Sequence, residues 1–235
     1  RVMAHYYRGL LYWMDGEVDN ARACFRNAQL QDSDTEKQEY ANDYVLLDFL
    51  DGLASAKLGQ DGQPAFQRAA ASAKMFPLPT VPPQANVLFF VEFGNGPVKV
   101  ATGKYAHELR IRPGRTTVAS ARLTVGGQDL ALPPADDLLF QASTRGGRVM
   151  DHILANKVVF KDTTSTVGDV SFAMAMAAAA DDDTVLAAPI FLLIGLISKA
   201  ASAAANPDAD VRTWWNLPRY LSVAGVNLPA GEHEV

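Results

Sequence analysis

Met3, Tyr6, Tyr7, Leu10, Leu11 and Met14 recur at i, i+3, i+4, i+7, i+8 and i+11, the spacing of one apolar face on an α-helix. Asp15-Gly16 breaks the pattern. Glycine can adopt the left-handed conformation that ends a helix, so the stop has a mechanism. A second stripe follows, carrying Val18, Ala21, Phe25 and Ala28. The small Ala21 and Ala28 let two helices approach closely, and Phe25 fills the space between them. The chain therefore opens with a helical hairpin.

The spacing of this hairpin resembles the tetratricopeptide repeat (TPR). Gly9, Tyr12, Gly16, Ala21, Phe25 and Ala28 stand at that motif's small, aromatic, turn, small, aromatic and small positions. Val18 replaces the usual aromatic, and Ser33 stands where the motif prefers proline. Ser33-Asp34-Thr35-Glu36 reads as a capping box opening another helix, with Tyr40, Tyr44, Leu47, Leu50 and Ala54 at helical spacing. Leu58-Gly59 ends it, and Pro64 suits the first turn of a helix through Phe66, Ala69, Ala70 and Ala73. This second hairpin fits the motif less well; Gly52 and Gly59 are its clearest matches. Two hairpins fall short of the roughly three repeats that stand alone, so they are expected to lean on the rest of the chain or on repeats upstream.

Pro77, Pro79, Pro82 and Pro83 forbid regular helix and predict a linker or an extended crossing segment. Beyond them the period changes. Asn86 to Phe93 is an apolar, β-branched and aromatic run expected to form a buried strand. Gly94-Asn95-Gly96-Pro97 is a turn, with Val98 to Ala101 a candidate partner strand. Thr116 to Val125 alternates, and Gly126-Gly127 turns it into Asp129 to Leu132. Leu138 to Ala142 is a short strand candidate. Arg148 to Phe160 suits helix or strand, and Val170 to Ala180, rich in Ala and Met, suits helix. Asp181-Asp182-Asp183 would cap the next helix. The apolar core Val185 to Ile197 is shorter than the roughly 20 residues of a bilayer span, which favours a buried helix over a membrane segment.

Hydrophobic residues make up 49% of the 235 and charged residues 20%, ordinary values for a chain with a core. The net charge of −5 comes without a Lys/Arg cluster, which argues against nucleic acid as a partner. Cys24 is the only cysteine, so neither an internal disulfide nor a multi-cysteine metal site is possible. His5, His107, His152 and His233 are dispersed, and no zinc spacing is present. Gly94-Asn95-Gly96 is followed by proline rather than a helix, and no P-loop or Gly-x-Ser-x-Gly elbow occurs. The hydroxyl-rich run Lys161 to Thr166 suits a locally capped loop. No catalytic residue, cofactor or metal site is assigned.

Asp210-Val211-Arg212-Thr213-Trp214-Trp215 is the most distinctive segment. Arginine can pair with aspartate and stack on tryptophan, so Asp210, Arg212, Trp214 and Trp215 are candidates for a structural lock or an interface. Arg212, Trp214, Leu217 and Pro218, followed by Leu228-Pro229-Ala230-Gly231, resemble the C-terminal pattern of a family of uncharacterised bacterial envelope lipoproteins. The Phe90 to Lys99 stretch, with its Glu-x-Gly-x-Gly-Pro-Val-Lys pattern, is similar to their central segment. That resemblance implies TPR-like N-terminal helices, export, and a lipid anchor on an upstream cysteine. It implies no activity. The start at Arg1 and the end at Val235 suggest a piece of a longer or processed protein.

The expected fold is α+β, with N-terminal TPR-like α-hairpins packed on a domain of antiparallel sheet and Ala-rich helices. The expected division is 1–76 helical, 77–85 linker and 86–235 α+β. The expected function is protein or peptide binding, as a non-enzymatic scaffold on the periplasmic side of the bacterial envelope. Arg8, Tyr12, Asp15, Asp43 and Asp48 are the candidate exposed partner-binding residues. Two alternatives stand beside it. One is an enzyme with a site at the helical/sheet junction, using residues such as Asp151, His152 and Lys161. The other is a membrane-associated assembly component using Leu186 to Ile197.

Overall fold

The first apolar stripe forms helix α1 (Val2–Met14), and the second forms α2 (Val18–Asp32). Between them Gly16 takes φ +80°, and the amides of Asp15, Gly16 and Glu17 close the turn on the carbonyls of Leu11, Trp13 and Tyr12. Met3, Tyr6, Val18, Ala21, Phe25 and Ala28 are buried. The helices meet so closely at Gly9 that a Cβ there would lie 2.5 Å from the Phe25 ring. Leu11 and Met14 depart from expectation, being 63% and 79% exposed. The buried arc runs through Tyr6, Gly9 and the partly buried Trp13. At 100° per residue Leu11 falls off that arc, and Met14 is the last residue of the helix.

The expected capping box does not open a helix. Ser33 closes α2 instead, its N–H donating to the Gln29 carbonyl and its hydroxyl to that of Leu30. A single 3₁₀ turn at Gln38–Tyr40 follows, and α3 (Val45–Lys57) starts later than the periodicity suggests. Its first amides are capped from far along the chain: Val45 and Leu46 donate to the two oxygens of Asp136, at 3.0 and 2.8 Å. A carboxylate there satisfies orphan N–H groups and meets the positive end of the helix dipole. Gly59, at φ +70°, turns the chain into α4 (Gln63–Ser72). A Cβ at Gly52 would lie 2.7 Å from the Phe66 ring.

One polar network ties α2, α3 and α4 together. Asp51, 2% exposed, accepts Arg22 Nε at 3.1 Å, Arg26 Nε at 3.0 Å and Arg68 Nη2 at 3.0 Å. Asp48 accepts Arg68 Nε at 2.9 Å, and Arg22 also donates to Gln60. Burying a carboxylate is tolerated here because it is paired and hydrogen-bonded.

The computed structural model describes residues 1–35, 38–103, 106, 108–144 and 210–234, with 169, 173 and 198. The fold is mixed α+β. Strand β1 (Val87–Asn95) forms where the apolar run predicts it. Its partner is not β2 (Val98–Thr102) but β7 (Pro218–Val226), antiparallel from Val87 opposite Val226 to Asn95 opposite Pro218. The two residues of β6 (Asp136–Asp137) flank β7 on its other side, giving the order β1-β7-β6. The proline segment touches the same strand, where Gly225 N–H donates to the Thr80 carbonyl at 3.3 Å.

β2 pairs with β3 (Glu108–Arg112). The alternating segment and its Gly-Gly turn form the hairpin β4 (Ala121–Val125) and β5 (Gln128–Leu132). Leu138 to Ala142 is helical, within α5 (Leu138–Thr144), rather than a strand. Asp137 accounts for the difference by accepting the Leu139 N–H at 2.8 Å.

Central strand β7 is buried on both faces, as alternation requires of a strand between two layers. Leu221 and Val223 join the core built by α1, α2 and α3; Ala224 and Val226 join Leu123, Val125 and Leu132. Contacts divide the chain into two units. One comprises Arg1–Val98, Ile111–Gly146 and Trp214–Val235; the other comprises Lys99–Arg110 and Gly147–Thr213. The segments expected from Arg148 to Phe160, at Val170 to Ala180, and from Asp181 through Ile197 lie outside the described residues, save Ala173.

Candidate functional site

Of the five candidate partner-binding residues, the structure brings Arg8 and Tyr12 together. One helical turn apart on α1, they share a hydrogen bond from Arg8 Nη2 to Tyr12 Oη at 3.1 Å, with the guanidinium 5.4 Å from the ring centroid. Asp15 follows at the C-cap of the same helix, exposed. Asp43 is elsewhere and half-buried, its N–H donating to Asp32 Oδ2 at 3.1 Å. Asp48 does not reach the surface at all. It is 2% exposed and committed to Arg68, and burial pushes its carboxyl up while Arg68 opposes that shift.

The segment at Asp210 divides in the same way. Asp210 and Arg212 belong to one unit and form a local clamp: Oδ1 accepts the Arg212 N–H at 3.0 Å and Nε at 2.9 Å, and Oδ2 accepts Nη2 at 3.0 Å. The Arg212 hydrogen bonds hold the Asp210 carboxyl well below the usual range. Arg212 is 91% exposed, so the clamp orders its own turn and adds little stability. Lys99 Nζ donates to the Arg212 carbonyl at 3.2 Å.

Trp214 and Trp215 belong to the other unit. Trp214 rests on Tyr7, centroids 5.4 Å apart, and stays half-exposed; Trp215 is 81% exposed. Tyr7 donates to Glu92 Oε2 at 2.8 Å, and burial together with that bond pushes its hydroxyl up. Sequence reasoning missed this contact. Tyr7 reads as one more core residue of α1, and nothing local joins it to Trp214.

The junction between helices and sheet holds a cleft of about 300 Å³, lined by Tyr40, Asp43, Val45, Phe76, Asp136 and Phe140 among others. That volume sits at the small end of ligand pockets. Two of its acids, Asp136 and Asp137, are hydrogen-bonded within the fold. Burial pushes Asp136 up to about 7, against the pull of the Leu46 and Val45 amides. Asp137 accepts Arg219 Nη2 at 3.1 Å through one oxygen and the Leu139 amide through the other. Asp151, His152 and Lys161, the dispersed enzyme candidates, lie outside the described residues, as does Leu186 to Ile197.

Cys24 is buried, and burial pushes its thiol up, away from the reactive thiolate. Among the described residues no group of three His, Cys, Asp or Glu side chains is placed to hold a metal ion. No helix among them is long and apolar enough to cross a membrane. No family model, curated protein or solved structure matches the chain.

Proposed function

We propose that this chain is a non-enzymatic binding or scaffold protein acting through tetratricopeptide-like hairpins, on the periplasmic side of the bacterial cell envelope. The observation that carries the reading is a device used twice. Gly9 admits Phe25 in the first hairpin, and Gly52 admits Phe66 in the second. At the same interval after each comes a turn glycine in the left-handed region, Gly16 and Gly59. One glycine-phenylalanine contact and one glycine turn per hairpin is what a repeated supersecondary unit requires. The reuse supports treating the weaker second hairpin as a unit of the same kind.

The envelope assignment is supported by the lipoprotein resemblance of Arg212, Trp214, Leu217 and Pro218 and of Leu228-Pro229-Ala230-Gly231. Membrane association would come through a lipid anchor upstream. The partner is a protein or peptide that meets the exposed side of α1, where Arg8 and Asp15 accompany the exposed Leu11 and Met14, beside Tyr12, which is half-buried and packs on the core. Exposed apolar side chains rimmed by charge are the composition of a docking surface.

A photo-crosslinking residue at position 15, compared in the native cell with one at position 129 on the β4–β5 hairpin, tests this. Capture of one discrete protein from position 15 alone, lost on Arg8→Glu, is the expected result. Equal capture from both positions, or none from position 15, removes the α1 surface from consideration.

A further inference from the structure

Asp51 draws three guanidinium groups together, Arg22 and Arg26 from α2 and Arg68 from α4. Each presents its Nε to a buried carboxylate oxygen, on Asp51 for the first two and on Asp48 for Arg68. Arg68 spends Nη2 on Asp51, and Arg22 spends Nη1 on Gln60. Among the described residues, no acceptor meets Arg22 Nη2, either Nη of Arg26, or Arg68 Nη1. The guanidinium is rigid and planar, so fixing the Nε edge against the helix fixes where the remaining N–H groups point.

The charges do not cancel. Asp48 and Asp51 set two negative charges against three positive ones. Asp19, one turn before Arg22, bonds to none of the arginines, and Asp61 accepts the Gln63 amide. Arg26 and Arg68 are 55% and 51% exposed, and Arg22 is 17% exposed. A fixed positive spot thus faces solvent on a chain whose net charge is −5.

We propose that the Arg22–Arg26–Arg68 triad is a binding site for a phosphate-type oxyanion, either free phosphate or a phosphate monoester. Arginine forks match phosphate oxygens with charge-assisted hydrogen bonds. Three guanidinium groups approaching from two helices suit a tetrahedral anion with three or four acceptors better than a planar carboxylate with two. Asp48 and Asp51 act as positioning residues, holding the forks before the ligand arrives and so lowering the ordering cost of binding. The site uses α2, α3 and α4, not the α1 surface, and does not depend on the scaffold reading.

Calorimetric titration of the 235-residue chain at matched ionic strength, with inorganic phosphate, O-phosphoserine and acetate in separate runs, tests the proposal. Phosphate or phosphoserine should bind at least about tenfold more tightly than acetate. The tighter of the two tells a free anion from a monoester. Arg26→Lys keeps a cation beside Asp51 but removes the fork. It should weaken phosphate binding about tenfold while leaving the urea midpoint near that of the parent chain. Arg122→Gln, on β4, should change nothing. Wild-type chain that binds neither phosphate nor phosphoserine better than acetate would overturn the proposal whether or not the variants fold, as would Arg26→Lys binding the tighter of the two unchanged.

Discussion

Gly9 shows how much one side chain can decide. Alanine has the better helix propensity by about 1 kcal/mol, so Gly9→Ala ought to stabilise an exposed helix. Here the new Cβ would stand 2.5 Å from the ring of Phe25, which is fully buried and has no room to yield. Overpacking costs about 1–3 kcal/mol and outweighs the propensity gain. Gly9→Ala is therefore expected to lower the unfolding free energy from urea titration by a net amount of up to about 2 kcal/mol; a rise would show that α1 and α2 are not packed this closely. At Asp48 the neighbours decide the role. As a charged residue it reads as surface, yet Arg68 allows it to be buried.

At the scale of elements, helix packing in this chain is polar as well as apolar. Asp51 sits in the middle of α3 and joins it to α2 and α4 through three arginines. Removing one partner of a buried ion pair costs about 3–5 kcal/mol when the other is stranded away from water. Arg26 and Arg68 are half-exposed and can rehydrate. Asp51→Ala should therefore cost less, about 2–3 kcal/mol, measured by chemical denaturation. A loss below about 0.5 kcal/mol would mark the network as an exposed one of little weight. Element identity was also settled by such contacts: α5 is a helix because Asp137 caps it, although its short apolar run suits a strand equally well.

Across the whole molecule, Asp136 is the joint. It belongs to the sheet through β6, opposite Leu221, and it caps α3. Its folded value of about 7 lies above the usual carboxyl value near 4. The folded chain therefore holds a proton that the unfolded chain releases. The stability this group contributes is full below about pH 4 and is lost as the pH rises through 7. Asp136→Asn cannot titrate. It gives up one of two acceptor oxygens, costing about 1–3 kcal/mol. The stability gap between parent and variant should narrow from pH 5 to pH 8, followed by urea unfolding at each pH. A constant gap would mean that Asp136 stays ionised throughout.

Much of the local structure was legible because its causes lie within a few residues. The i, i+3, i+4 stripes gave α1 and α2, the apolar run gave β1, and the Gly126-Gly127 turn gave the β4–β5 hairpin. A helix and a hairpin close their hydrogen bonds between near neighbours, so periodicity and turn chemistry describe them. What the chain could not announce is which distant groups meet. β7 becomes the central strand by pairing with β1 and β6, α3 is capped by a carboxylate 90 residues away from Leu46, and Trp214 finds Tyr7. The exposed residues of α1 were readable as a candidate surface, but the burial of Asp48 and the arginine triad were not. By itself the sequence determined which segments are helical or extended and which faces are apolar. The tertiary structure alone decided which charges are buried and where the free hydrogen-bonding groups point, because burying a charge or a helix end depends on partners that only folding brings within reach.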